Sequence, residues 1–289
     1  MKKIAVIQDM SGLGKCSLTA AIPVISVMGV QACPLPTAIL SNQTGYSSYF
    51  CDDYTDRMDL IMEEWKKQDF HPDGIYTGYL AGEVQAEKIL KFLDDFARDD
   101  TLILIDPVMG DRGAVHGIYK ETLRDAMRTL AHRADVITPN LTEALLLLYG
   151  EEGMVPRFQE IARSGMKGRR RQIEEIADAL QKEFSVSALV ITGIDEPLED
   201  GRMQISNLVL ENSSKSWISS EKHGDSYSGT GDLFSSVVSA GMVKGKSLAA
   251  CVEKAVSFLS KAIYDAVQEG GDRNDGVCFE RYLHELCDK

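Results

Sequence analysis

Leu102-Ile103-Leu104-Ile105-Asp106-Pro107-Val108-Met109-Gly110-Asp111 passes from four consecutive apolar residues directly into a proline flanked by acidic positions. A short apolar run without alternation suits a strand buried on both faces, and it leaves Asp106 and Asp111 at the C-terminal edge of that strand. Val136-Ile137 followed by Thr138-Pro139-Asn140-Leu141-Thr142-Glu143 repeats the arrangement, and Ile4 to Ile7, Ile75 to Thr77 and Leu189 to Ile191 are further compact runs. Between them lie helical patterns: Ile89, Leu90, Leu93 and Phe96 share one face, as do Ile173, Ile176, Ala177 and Leu180. The alternation predicts βαβ units on a mostly parallel sheet, an α/β protein. Right-handed crossovers then place the loops after the strands along one edge, where such sheets bind ligands.

Residues 203–219 leave that rhythm. Ile205 to Leu210 and Trp217-Ile218, joined by Asn212-Ser213-Ser214, predict an antiparallel hairpin added to the sheet. Leu248, Val252, Ala255, Val256, Leu259 and Ile263 recur at helical spacing, and 278–287 reads as a shorter helix. Residues 151–171, with Gly153, Pro156, Gly165, Gly168 and Arg169-Arg170-Arg171, read as a solvated basic loop; cover for a bound anion is the lesser alternative. No internal repeat or low-complexity tract is present, and 1–289 reads as a single domain.

The balance of 31 Lys and Arg against 44 Asp and Glu gives a net charge of −13. That speaks against a general nucleic-acid or anionic-membrane binder, and an anionic ligand must be met locally by a metal, a helix N-terminus or a basic side chain. Six cysteines without a C-x-x-C pair read as reduced thiols of a cytoplasmic protein. The apolar run at the N-terminus is too short for a signal peptide. The five histidines lack metal spacing, Trp65 and Trp217 read as packing residues, and His223 with Tyr227 stand where they could flank a ligand.

Several segments carry chemistry. Ser11-Gly12-Leu13-Gly14-Lys15-Cys16 superficially resembles a phosphate-binding loop, but Asp9 and Cys16 occupy positions that need Gly and Ser or Thr. Ser17 likewise stands where a dinucleotide fingerprint needs its third glycine. Gly229-Thr230-Gly231-Asp232, opening a small-residue helix, is the stronger signal. Glycines ahead of a helix let backbone N–H groups converge on an anion where the helix dipole is positive. Asp232 is then a candidate base or merely an N-cap. Asn140 and Glu143 share one face of a helix beginning after Pro139; they read either as a capping pair or, with Asp106, as water-mediated holders of Mg²⁺.

Taken together, Asp106 to Asp111, Asn140-x-x-Glu143 and Gly229 to Asp232 resemble the ribokinase-like superfamily, and Ile7-Gln8, Ser41-Asn42-Gln43-Thr44-Gly45-Tyr46 and Thr77-Gly78-Tyr79 resemble its pyridoxal kinase family. The resemblance runs over about residues 3–265. It implies a three-layer α/β/α sandwich and ATP-dependent phosphorylation of the 5′-hydroxymethyl group of pyridoxal, pyridoxine or pyridoxamine. It assigns Asp232 as general base and the amides of Gly229, Thr230, Gly231 and Asp232 as the anion hole. Asp9, Thr44 and Tyr79 match substrate contacts; Asp111, Asn140, Gly193, Thr230 and Gly231 match nucleotide contacts. Asp106, Thr138 and Thr192 match holders of a monovalent cation such as K⁺, with Glu143 on the Mg²⁺ side. A homodimer is implied as well.

Two departures stand out: Asp9 replaces the family's Ser, and Gln43 replaces its His. An ionised Asp9 favours a protonated ring nitrogen or a substrate amine, which predicts good use of pyridoxamine. A hydroxymethylpyrimidine kinase is the nearest rival, opposed by Gly110-Asp111 and by the 41–46 and 78–79 motifs. A non-catalytic nucleotide or vitamer binder on the same fold is the other rival; an anionic Asp232 beside the phosphate acceptor speaks against it.

Overall fold

A computed structural model describes residues 1–117 and 119–287. Ile118, within the 112–119 loop, and the last two positions of the expected 1–289 domain lie outside the described residues. The chain divides into two compact units, residues 1–102 with 223–289 and residues 103–222.

The first unit opens with β1 (Lys3–Leu13), α1 (Ser17–Val27), β2 (Gln31–Asn42), β3 (Cys51–Asp53), α2 (Thr55–Lys67), β4 (Gly74–Thr77) and α3 (Glu83–Phe96). Its strands run in the order β4-β1-β2-β3. β1 is parallel to β2 and β4, and β3 is antiparallel to β2. Ile4 to Ile7 are fully buried, as the unbroken apolar run requires. The strand continues well past that run, to Leu13, so Asp9 and Ser11 are strand residues. β2 is an element the apolar runs did not announce, because Pro34 and Pro36 interrupt it. Both prolines precede the Ala38–Leu40 stretch that pairs with β3, so their missing N–H groups cost no ladder bond on that side. Opposite Asp9, β2 presents two residues, Thr37 and Ala38, where its register with β1 shifts.

The second unit holds β5 (Leu102–Ile105), which begins at the boundary, a small ribbon of β6 (Gly110–Asp111) and β7 (Ala114–Val115), α4 (Glu121–Ala131), β8 (Val136–Ile137), α5 (Leu141–Arg163), α6 (Met166–Phe184), β9 (Ala188–Pro197), β10 (Met203–Glu211) and β11 (Ser214–Glu221). β5, β8 and β9 are mutually parallel neighbours, and β10 and β11 add antiparallel strands beside β9. The hairpin turns at Asn212 and Ser213, both at positive φ (49° and 67°), as a two-residue loop between twisted strands demands.

The expected loop at 151–171 is instead helical. Gly150 (φ 68°) kinks α5, which continues through Pro156 to Arg163, and α6 follows. The arginines serve the fold. Arg169 caps the carbonyls of Ile161 and Ala162, Arg170 grips Glu196 through two 2.8 Å bonds, and Arg171 pairs with Glu175 one turn on. Arg170 also lies 4.6 Å over the Trp217 ring. Arg170 looked solvated because its partners are distant in sequence, whereas Arg171 does stay largely in solvent.

The chain returns to the first unit with α7 (Thr230–Val243) and α8 (Leu248–Gln268). Gly241 lets these helices approach, since a Cβ there would lie 2.5 Å from the Cys251 sulfur. The expected terminal helix takes the tighter 3₁₀ form over Phe279–Leu286. Trp65 packs against Phe70, Phe92 and Phe96 as expected, and His223 meets Tyr264 edge-on at 5.2 Å. All six cysteines are free thiols. Among the described residues no helix is long and apolar enough to cross a membrane.

Candidate active site

In the first unit Gly229 is held by its surroundings. Gly229 caps α7 at φ 79°, and a Cβ there would overlap the Lys15 carbonyl oxygen. The first helical bond runs from Leu233 N–H to Gly229 O, so the Thr230, Gly231 and Asp232 amides lie ahead of the helix's own ladder. Nothing comes within 4 Å of a Cβ built on Gly231, which leaves open space over this end of the helix. Asp232 is half-buried at the third helical position, not at the cap. Its Oδ2 accepts a 2.8 Å bond from the Ser17 backbone N–H.

Ser17 also donates its hydroxyl to Asp9 Oδ1 at 2.6 Å, while Ser11 donates to Asp9 Oδ2 at 3.1 Å. Asp9 is 5% exposed. Burial pushes its carboxyl above the usual range, and the hydroxyls of Ser17 and Ser11 pull in the opposite direction. Burial, then the charge of Asp9, pushes the half-buried Tyr79 phenol up to about 12. Thr44 is exposed on a loop fastened to the 272–276 turn: Gln43 Nε2 donates to Asn274 Oδ1 at 2.9 Å, and the Tyr46 hydroxyl donates to Asp275. The contacts that join Asp9 to Asp232 do not include Thr44.

In the second unit three strand ends come together. Asn140 and Glu143 form the reciprocal capping box of α5, with bonds of 3.0 and 2.9 Å, so the capping reading is observed directly. The pair does more than cap. Asn140 Nδ2 donates to Gly110 O at 2.8 Å, and Glu143 Oε1 accepts from Met109 N–H at 3.2 Å, tying the 106–111 segment to the helix start. Thr192 bridges to Asn140, its N–H donating to Pro139 O at 2.9 Å. Gly193 N–H donates to the buried Asn207 Oδ1 at 3.2 Å, and Gly113 N–H to Thr142 Oγ1 at 2.9 Å.

Asp106, Thr138 and Glu143 are all buried. Burial first, and the nearby charge of Asp106 second, push the Glu143 carboxyl well above its usual range; the Asn140 and Met109 amides oppose this. Among the described residues no group of three or more His, Cys, Asp and Glu forms a metal-ligand set. Asp106 and Glu143 are nonetheless two buried carboxyls close enough for one to feel the charge of the other, oxygen donors of the kind taken by a cation that keeps much of its own water.

The sequence model of phosphomethylpyrimidine kinase matches residues 14–276. The chain belongs to the phosphomethylpyrimidine kinase family. A Bacteroides thetaiotaomicron protein assigned as a phosphomethylpyrimidine kinase, in a crystal form with pyridoxal, is 35% identical, with a TM-score of 0.87 over 99% of this chain and 95% of that one. The pyridoxal kinase of Lactobacillus plantarum is 26% identical, with a TM-score of 0.83 over 99% of this chain and 96% of that one. The pyridoxine/pyridoxal/pyridoxamine kinase of Bordetella avium is 26% identical over 268 residues, 89% of this chain and 83% of the relative. The fold is accordingly the ribokinase-like three-layer α/β/α sandwich, with a mostly parallel sheet and an antiparallel hairpin, and the protein is a kinase of the pyridoxal and phosphomethylpyrimidine kinase group, with relatives of both kinds.

Three residues of this kinase escaped the sequence reading. Ser17 stood out only as a missing glycine, yet it bridges Asp9 and Asp232. Its φ of 51° lies in the left-handed region that glycine adopts without penalty. Asn207 and Thr142, which fasten Gly193 and Gly113, carry no local signal, because their partners are 14 and 29 residues away.

Proposed function

We propose that the chain, residues 1–289 as one kinase domain, transfers the γ-phosphoryl group of ATP to the 5′-hydroxymethyl group of a vitamin B6 vitamer. The observation that carries this reading is Asp232 in the first turn of α7, three residues beyond a glycine cap that tolerates no side chain, with its carboxylate held by the Ser17 amide. In that place a carboxylate accepts the hydroxyl proton as the oxygen attacks. The Gly229 to Asp232 amides and the α7 dipole stabilise charge on the transferring group. Asp9, Thr44 and Tyr79 contact the acceptor.

Asp111, Asn140, Gly193, Thr230 and Gly231 serve the nucleotide. Glu143 and Asp106 would hold Mg²⁺ through waters, while Asp106, Thr138 and Thr192 would hold a monovalent cation, K⁺ by family likeness. These ions supply charge neutralisation of the phosphates. The proposal includes a homodimer, read by sedimentation.

The family description itself favours a second reading, phosphorylation of hydroxymethylpyrimidine or its phosphate. ATP turnover with pyridoxal, pyridoxine, pyridoxamine and hydroxymethylpyrimidine separates the two. The reading predicts a higher kcat/KM for at least one vitamer than for the pyrimidine, and the reverse order overturns it. No turnover with any acceptor, despite nucleotide binding, would leave a binding protein.

A further inference from the structure

Three elements of the first unit meet at one residue. β1 supplies Asp9 and Ser11, α7 supplies Asp232, and the start of α1 supplies Ser17. Ser17 gives its backbone N–H to Asp232 and its hydroxyl to Asp9. It does so at φ 51°, where glycine fits without penalty and other residues are rare. The Ser17 side chain makes a contact there that glycine could not. Here it contributes a 2.6 Å bond to a carboxylate that is 5% exposed and that takes hydroxyl donors, Ser17 and Ser11, with no ion pair among the described residues.

We infer that Ser17 is a positioning residue, its amide and hydroxyl locking Asp232 and Asp9 into one hydrogen-bonded unit that sets the direction of the Asp232 carboxylate. The inference rests on reading Asp232 as the group that takes the acceptor's proton. The same turn also bears on the anion loop, because the Lys15 carbonyl and Cys16 Cα are the atoms a Cβ at Gly229 would strike. The 15–17 turn therefore fixes base and anion loop together. Cys16, between them, is kept out of the chemistry: burial, then the charges of Asp232 and Asp9, pushes its thiol up to about 12, so it stays protonated.

The test uses the full chain with MgATP and the best vitamer from the acceptor panel, comparing wild type with Ser17→Gly, Asp9→Ala, the double variant and Asp232→Asn. Ser17→Gly keeps the N–H and suits the backbone, so a merely structural role predicts unchanged kcat and an equal or higher Tm. Positioning predicts that kcat falls roughly tenfold or more while KM for ATP stays within about twofold. It also predicts that the double variant is no slower than the slower single variant, since both cut the same link. Wild-type kcat in Ser17→Gly, or independent multiplicative losses in the double variant, overturns the inference. Near wild-type turnover in Asp232→Asn would instead overturn the functional reading beneath it, so the two failures are distinct.

Discussion

Replacing Gly229 by alanine perturbs the anion loop without touching a charge. The added Cβ would overlap the Lys15 carbonyl oxygen and lie 2.8 Å from its carbon and 2.9 Å from the Cys16 Cα. All three are backbone atoms, so no side chain can swing aside. The residue also sits at φ 79°, which costs a non-glycine residue about 1–2 kcal/mol. Relieving the overlap moves the loop or the 15–17 turn by roughly 1 Å, and a misplacement of that size costs about 100-fold in rate. The expected outcome is therefore a kcat/KM lower by about two orders of magnitude, with a Tm loss of several degrees, read by coupled ADP release and by thermal melts. Gly231→Ala is the matched control for packing. Its Cβ meets nothing within 4 Å, so Tm is expected to hold, while the proposed use of that space by ATP predicts a higher KM for ATP. Gly229→Ala with turnover within threefold of wild type would refute the assignment of this loop as the anion site.

Arg170→Ala is expected to strand the fully buried Glu196 and to cost about 2 kcal/mol, less than a wholly buried pair because the Arg170 side chain is 30% exposed. Burial works to raise the Glu196 carboxyl, but the bonds from Arg170, Ser206 and Gln204 outweigh it and hold it below the usual 4.5. The pair's contribution is thus present above pH 4.5 and lost as pH falls through the lower folded value; acid melts of wild type should show that loss and those of Arg170→Ala should not. Glu143→Gln preserves the shape of the capping box but not the charge, so the Mg²⁺ concentration needed for half-maximal rate is expected to rise at least about tenfold with Tm down by only a few degrees; equal losses in both would assign Glu143 to structure alone. Asp9→Ser is expected to lower kcat/KM for pyridoxamine relative to pyridoxal, and an unchanged ratio removes Asp9 from acceptor selection.

What could be read in the sequence follows physical range. Compact apolar runs, the 212–213 turn and the glycines before α7 are local signals, and they located five strands, the hairpin and the glycine-capped start of α7. β2 was hidden because Pro34 and Pro36 argue against a strand unless an unpaired side is known. The α5–α6 region was misread because Arg170 needs Glu196 and Trp217, which the chain delivers only through the sheet. Ser17 illustrates the same limit inside the site. Its significance lies in a left-handed backbone and a partner 215 residues away, neither of which spacing along the chain can reveal. Asn140 and Glu143 show the converse, since the capping and ligand readings drew on the same pattern and the structure realises the cap while leaving the cation role compatible.

The central claim is that Asp232 accepts the proton of a B6 hydroxymethyl group during transfer from ATP. The most direct measurement is formation of the vitamer 5′-phosphate by wild type and Asp232→Asn under saturating MgATP, with nucleotide binding followed in parallel. The account predicts that the variant binds ATP and loses at least about 100-fold in kcat. Product formed at near wild-type rate by Asp232→Asn would contradict it.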